Sequence, residues 1–96
     1  PSLVVLRDDT LVLTAGGSGG QSIFLSTDGG RNWSEPIHVD PKVYGYGHLA
    51  PLKDESMLLS YVERHSVPQR ILMVRLKVNA ERTSVELLPI GNQAVR

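Results

Sequence analysis

The sequence predicts an all-β fold of two four-stranded antiparallel sheets, and three observations predict it. Apolar and β-branched residues fall in short runs closed by Asp, Gly and Pro, the pattern of strands separated by turns. The run that opens the chain returns at a constant offset of 46 positions, so one four-strand unit is written twice. No segment carries convincing helical periodicity, and the 41% apolar content is spread as strands.

The elements follow in order. Leu3-Val4-Val5-Leu6 is the first strand, and Arg7-Asp8-Asp9 closes it as a turn. Thr10-Leu11-Val12-Leu13-Thr14 is the return strand. Gly16-Gly17-Ser18-Gly19-Gly20 has the composition of a flexible connection. Gln21 to Ser26 is the third strand, and Glu35-Pro36-Ile37-His38-Val39 the fourth. Pro36 cannot donate to a ladder, so the fourth strand belongs at a sheet edge or begins at that residue.

The second unit lies over the first. Leu49-Ala50-Pro51-Leu52 matches Leu3 to Leu6, and Met57-Leu58-Leu59-Ser60 matches Leu11 to Thr14. Ile71-Leu72-Met73 matches Ile23-Phe24-Leu25 at 48 positions, which needs two more residues in the intervening loop. Ser84 to Ile90 is the last strand. The units are residues 1–41 and 44–91, each the size of one propeller blade. A blade packs on neighbours through both faces, so two alone leave apolar surface uncovered. A two-layer sandwich of the same eight strands is the alternative architecture.

Between the third and fourth strands, Ser26, Asp28, Gly30 and Trp33 define a self-bonded bend. Asp bonds its own backbone two residues on, Gly accepts positive φ, and the only indole in the chain is expected to pack beneath, its N–H near a partner. A plain Asp-Gly hairpin that precedes a Trp would read the same way. In the second unit, residues 77–83 offer Asn79 as a turn residue but no Gly and no Trp.

The spacing Ser26, Asp28, Gly30, Trp33 resembles the Asp box, S-x-D-x-G-x-T-W, of the sialidase-like (BNR repeat) β-propellers, with Asn32 where the family often has Thr. The resemblance implies a propeller of six blades, a rim position for the box, and an active site elsewhere. Residues 44–54, followed by Leu58-Leu59-Ser60-Tyr61-Val62-Glu63, look like the family segment Y-S-x-L-x-x-L-x-D-G leading into L-L-Y-E. On that comparison Tyr46 falls on the family's nucleophilic tyrosine. A phenol suits a substrate that is itself anionic, because an attacking carboxylate would be repelled. His48 and Arg64 become candidate substrate-binding residues. The implied ligand is a sialoside or related glycan.

The departures are equally specific. The family's third carboxylate-clamping arginine stands about eight residues before the Asp-box serine, where this chain has Ser18. The general acid, the first two arginines and the Glu that activates the tyrosine would come from earlier blades. Glu55 stands where the family has Gly. One copy of this chain therefore holds no complete catalytic set. The resemblance leaves three readings: late blades of a glycan-handling propeller, a non-catalytic module that binds carbohydrate or protein, and a two-blade unit whose main property is self-assembly. Ring closure would need further blades or more copies, three copies giving six blades.

Plainer roles compete for each candidate. Tyr46 suits a packing position between glycines, and Arg64 with His65 suits a solvated strand end. Asp8-Asp9 and Asp54-Glu55 occupy the same hairpin turn in each repeat and read as turn residues. His38, His48 and His65 are scattered, so neither a metal site nor a cofactor is expected. Trp33 at the centre of Asn32-Trp33-Ser34 argues against use of that glycosylation sequon.

Composition bounds the rest. Net charge is zero and the pI about 7.4, which gives no electrostatic footprint for nucleic acid or an anionic membrane. The chain has no cysteine, hence no disulfide framework and no thiolate metal site. No apolar run approaches the roughly 18 residues of a membrane span. Opening on Pro1 suggests a trimmed, processed or fragmentary chain, and a secreted or cell-envelope location would suit the family.

Overall fold

The computed structural model describes residues 2–16, 20–40, 44–63 and 70–89. These form eight strands: β1 (Ser2–Val5), β2 (Leu11–Ala15), β3 (Gln21–Ser26), β4 (Ile37–Asp40), β5 (Tyr44–Pro51), β6 (Met57–Glu63), β7 (Arg70–Val78) and β8 (Val85–Leu88). They make two four-stranded antiparallel sheets, ordered β1-β2-β3-β4 and β5-β6-β7-β8, with no helix among the described residues. Each sheet is a simple meander. As Pro36 required, β4 is an edge strand and starts one residue later, at Ile37.

The hairpin turns show the repeat atom by atom. In the first, Leu6 N–H donates to Thr10 O and Asp9 N–H to Leu6 O, both at 2.9 Å. In the second, Leu52 N–H donates to Ser56 O at 2.8 Å and Glu55 N–H to Leu52 O at 3.1 Å. Asp9 and Glu55 take matching left-handed φ values of 69° and 67°. Such a backbone costs a non-glycine residue about 1 kcal/mol. The third strands do not follow the expected offset. By register, Thr14 pairs with Ile23 while Ser60 pairs with Met73, so Ile23 and Met73 are equivalent, 50 positions apart. The β6–β7 ladder runs out to Glu63 and Arg70, and the longer arms take up the extra residues.

Residues opposite one another in a ladder share a face, and alternate residues point to opposite faces. In the first sheet one face carries Val4, Val12, Ile23 and Leu25, all buried. The core-facing side of the second carries Leu49, Met57, Leu59 and Leu76, also buried. These eight join in a single core. Full burial of each aliphatic side chain is worth about 1.5–3 kcal/mol.

Equivalent faces do not meet in this core. Val4 and Val12, buried in the first sheet, correspond to Ala50 and Leu58 on the outward side of the second. Leu3, 53% exposed, corresponds to Leu49, which is 3% exposed. The sheets therefore stack front to back, one repeat following the next.

The two ends of the stack differ in kind. One gathers the four tight turns at residues 6–10, 26–34, 52–56 and 79–84, and it is fastened by charge. Arg7 N–H donates to Glu55 Oε2 at 2.7 Å and Arg7 Nη2 to Lys53 O at 2.7 Å. Arg82 Nε donates to Asp8 Oδ2 at 3.0 Å, with Arg82 Nη2 3.8 Å from Glu55 Oε1. The other end carries the connections from β2 to β3, β4 to β5 and β6 to β7.

Candidate functional site

The turn at residues 26–34 is built by its own side chains. Ser26, 1% exposed, donates its hydroxyl to Asp28 Oδ1 at 2.9 Å and accepts Gly30 N–H at 2.9 Å. Asp28 Oδ1 also accepts Asn32 N–H at 2.9 Å, and Asp28 Oδ2 accepts Asn32 Nδ2 at 2.8 Å. The Asn32 backbone and side-chain donors, then the Ser26 hydroxyl, hold the Asp28 carboxyl down to about 2. Gly29 and Gly30 supply φ of 76° and 93°. The bend is closed by Ser34 N–H to Leu25 O at 2.8 Å. Asn32, where the family often has Thr, thus contributes a bond of its own.

Trp33 departs from expectation. Its Nε1–H donates to Gly30 O at 3.1 Å, so the indole finds its partner, yet the residue remains 39% exposed. It lies against the turn at the surface instead of being buried beneath it. The ring rests on the Gly30 side of the bend, held there by its own N–H. The argument against the Asn32-Trp33-Ser34 sequon from a buried Trp accordingly falls away.

The second unit fixes the equivalent turn with a carboxamide. Asn79 Oδ1 accepts Thr83 N–H at 2.8 Å and Ser84 N–H at 3.0 Å, and its Nδ2 donates to Thr83 Oγ1 at 2.9 Å. Arg82 takes φ of 60° in this turn, which aims its guanidinium at Asp8. Asp8 and Asp54 are turn residues, as expected. Thr10 donors, then Arg82, hold Asp8 down to about 2; Ser56 donors, then Arg75, do the same for Asp54. Arg75 reaches Asp54 Oδ2 at 2.6 Å and Ser56 Oγ at 3.1 Å.

Tyr46 and His48 lie on β5, which starts at the end opposite these turns. His48 is exposed and faces Ser60 across the ladder. For Tyr46 the backbone alone is described; Arg64, His65 and Ser18 lie outside the described residues. Among the described residues, no group of three or more His, Asp or Glu is placed to hold a metal ion.

Near Tyr46 the sheets meet through polar groups that the sequence pattern did not single out. Tyr61, 3% exposed, donates its hydroxyl to Asp40 Oδ2 at 2.9 Å and ties β6 to the end of β4. Gln21 is fully buried against Gly47, where a Cβ would stand 2.6 Å from Gln21 Oε1 and 3.1 Å from Leu59 Cδ1. A Cβ at that position would force the Gln21 side chain to shift. Ser22 Oγ and His38 Nδ1, 3.0 Å apart, add a polar link between β3 and β4. The Gln21–Gly47 approach, and the Tyr61 bond to Asp40 from the ladder partner of Gly47, hold the start of β5 against the first sheet. No single-sequence signal marks Gln21 or Asp40; Gly47 was visible within Tyr44-Gly45-Tyr46-Gly47, without its reason.

In comparisons with known proteins, no family model, curated protein or solved structure matches the chain. No helix among the described residues is long and apolar enough to cross a membrane.

Proposed function

We propose that this chain supplies a late pair of blades to a sialidase-like, six-bladed β-propeller that handles glycans, with the ligand approached from the connection end of the sheets. The observation that carries this reading is the segregation of the ends on two meanders stacked front to back. The Asp-box turn and three other tight turns occupy one end, and β5 brings the Tyr46 backbone to the other. A rim box remote from the site is what the resemblance implies. The meander order also supports blades over a sandwich, in which Greek-key crossings are usual.

In this reading Tyr46 is the nucleophile position, and His48 and Arg64 contact the sugar. Ser18 at the third-arginine position favours binding without turnover for the chain by itself, which is the second reading: a non-catalytic module for carbohydrate or protein. An isotope-labelled chain titrated with sialosides and neutral glycans tests both. Sialoside-specific amide shifts at residues 44–48, absent from residues 26–34 and reduced by Tyr46→Phe, are expected, with no turnover of a fluorogenic sialoside. Absence of any shift with sugars at millimolar concentration would remove the glycan reading.

A further inference from the structure

We infer that a second copy of this chain docks head to tail on the first, the back of one first sheet against the front of the other's second sheet. The argument is that the chain carries both halves of an interface it already makes once internally. Inside the molecule the front of the first repeat, with Val12 and Ile23 at 0% exposure, covers the back of the second, with Leu59 at 0% and Leu49 at 3%. The free back of the first repeat presents the equivalents of that buried back, Leu3 at 53% exposure for Leu49 and Leu13 for Leu59, with Phe24 beside Leu13 in the ladder and Val5, 57% exposed, on the same face. The free front of the second repeat presents Ile71 at 76% and Met73 at 47%, flanked by Val62 and Leu58. Paired apolar faces of this kind mark interaction surfaces. Their occupant is a blade of the same design, because each face is the repeat-equivalent of one that a blade already fills.

Net charge is zero, so two copies carry no long-range mutual repulsion. The geometry is heterologous: two different faces of the chain meet, so each added copy offers a fresh face, and the assembly closes only if the rotation permits. The inference rests on the blade reading and is independent of the glycan reading; a failed sugar titration leaves it standing.

Light scattering on the wild type and two charge-bearing variants tests it. The wild type is expected at a multiple of 10.5 kDa, rising with concentration. Leu3→Glu spoils the back and Ile71→Glu spoils the front; each alone is expected at 10.5 kDa, with wild-type-like circular dichroism. Mixed in equal amounts they are expected to recover a one-to-one dimer, because the first retains an intact front and the second an intact back. A wild type that stays monomeric at millimolar concentration would overturn the inference. So would folded single variants that still self-associate, or folded variants that fail to pair when mixed. If either glutamate variant does not fold, Leu3→Ser and Ile71→Ser repeat the same three comparisons.

Discussion

The β3–β4 and β7–β8 turns solve one problem with different chemistry. The first spans residues 26–34 and is held by a carboxylate, a buried serine hydroxyl and a tryptophan resting on the bend. The second spans 79–84 and is held by one carboxamide, with a left-handed arginine in place of glycine. The comparison teaches that each four-stranded unit has its donors satisfied at this corner, while the residues that satisfy them differ between the two. It also separates two jobs. The first turn is self-contained, whereas the second sends Arg82 across to the neighbouring sheet at Asp8.

The strongest way to break the comparison lies under both turns. Ile23→Ala and Leu59→Ala remove fully buried side chains from the shared core, one from each sheet. Each is expected to cost about 2–5 kcal/mol and to lower a single melting transition followed by circular dichroism. Two separate transitions would show that the repeats fold independently. Next comes Ser26→Ala, which leaves the Gly30 N–H and the Asp28 carboxylate short of a partner; loss of about 1–3 kcal/mol is expected in chemical denaturation. Asn79→Ala, at an exposed turn, is expected to cost about 0.5–2 kcal/mol, with Asn79→Asp restoring most of it.

Acid sharpens the contrast. Asp8, Asp28 and Asp54 have folded values near 2, below the ordinary 3.8, so their contribution is complete above about 4 and is lost as pH falls through 2. Asn79, the acceptor of the other turn, does not titrate, and that turn feels acid only through the Arg82 contact with Asp8. Amide shifts of Gly30 and Asn32 should therefore move further between pH 4 and 2 than those of Thr83 and Ser84. The smallest effect expected is from the left-handed pair. Asp9→Gly relieves strain at an exposed side chain and should stabilise by about 0.5–1 kcal/mol. Glu55→Gly relieves the same strain but gives up the Arg7 and Arg82 contacts, so no gain is expected in the same denaturation assay.

Most of the architecture was legible because it rests on local patterns. Alternating apolar residues gave the strands, and Asp-Asp, Asp-Glu and Asn79 gave three of the turns for the physical reason found, side-chain acceptors bonding nearby amides. Strand bounds moved by a few residues at most turns; Ser84 to Ile90 shortened to Val85–Leu88. What could not be read was what two sheets do to each other. The Gln21–Gly47 approach, the Tyr61–Asp40 bond and the reach of Arg82 to Asp8 join residues 21 to 74 positions apart. The 48-position match failed for a related reason: similar side chains aligned, but the ladder placed Ile23 opposite Thr14 and Met73 opposite Ser60. Of the candidate site, the sequence located a strand end; the polar contacts that seat it became visible only with both sheets in place.

A hairpin whose length is set by side chain-to-amide bonds has no room for an extra residue. An insertion within 26–34 or 79–84 would pull Asp28 or Asn79 off the amides each one holds. A change of length at this end would also disturb the contacts from Arg7 and Arg82 that fasten one sheet's turns to the other's.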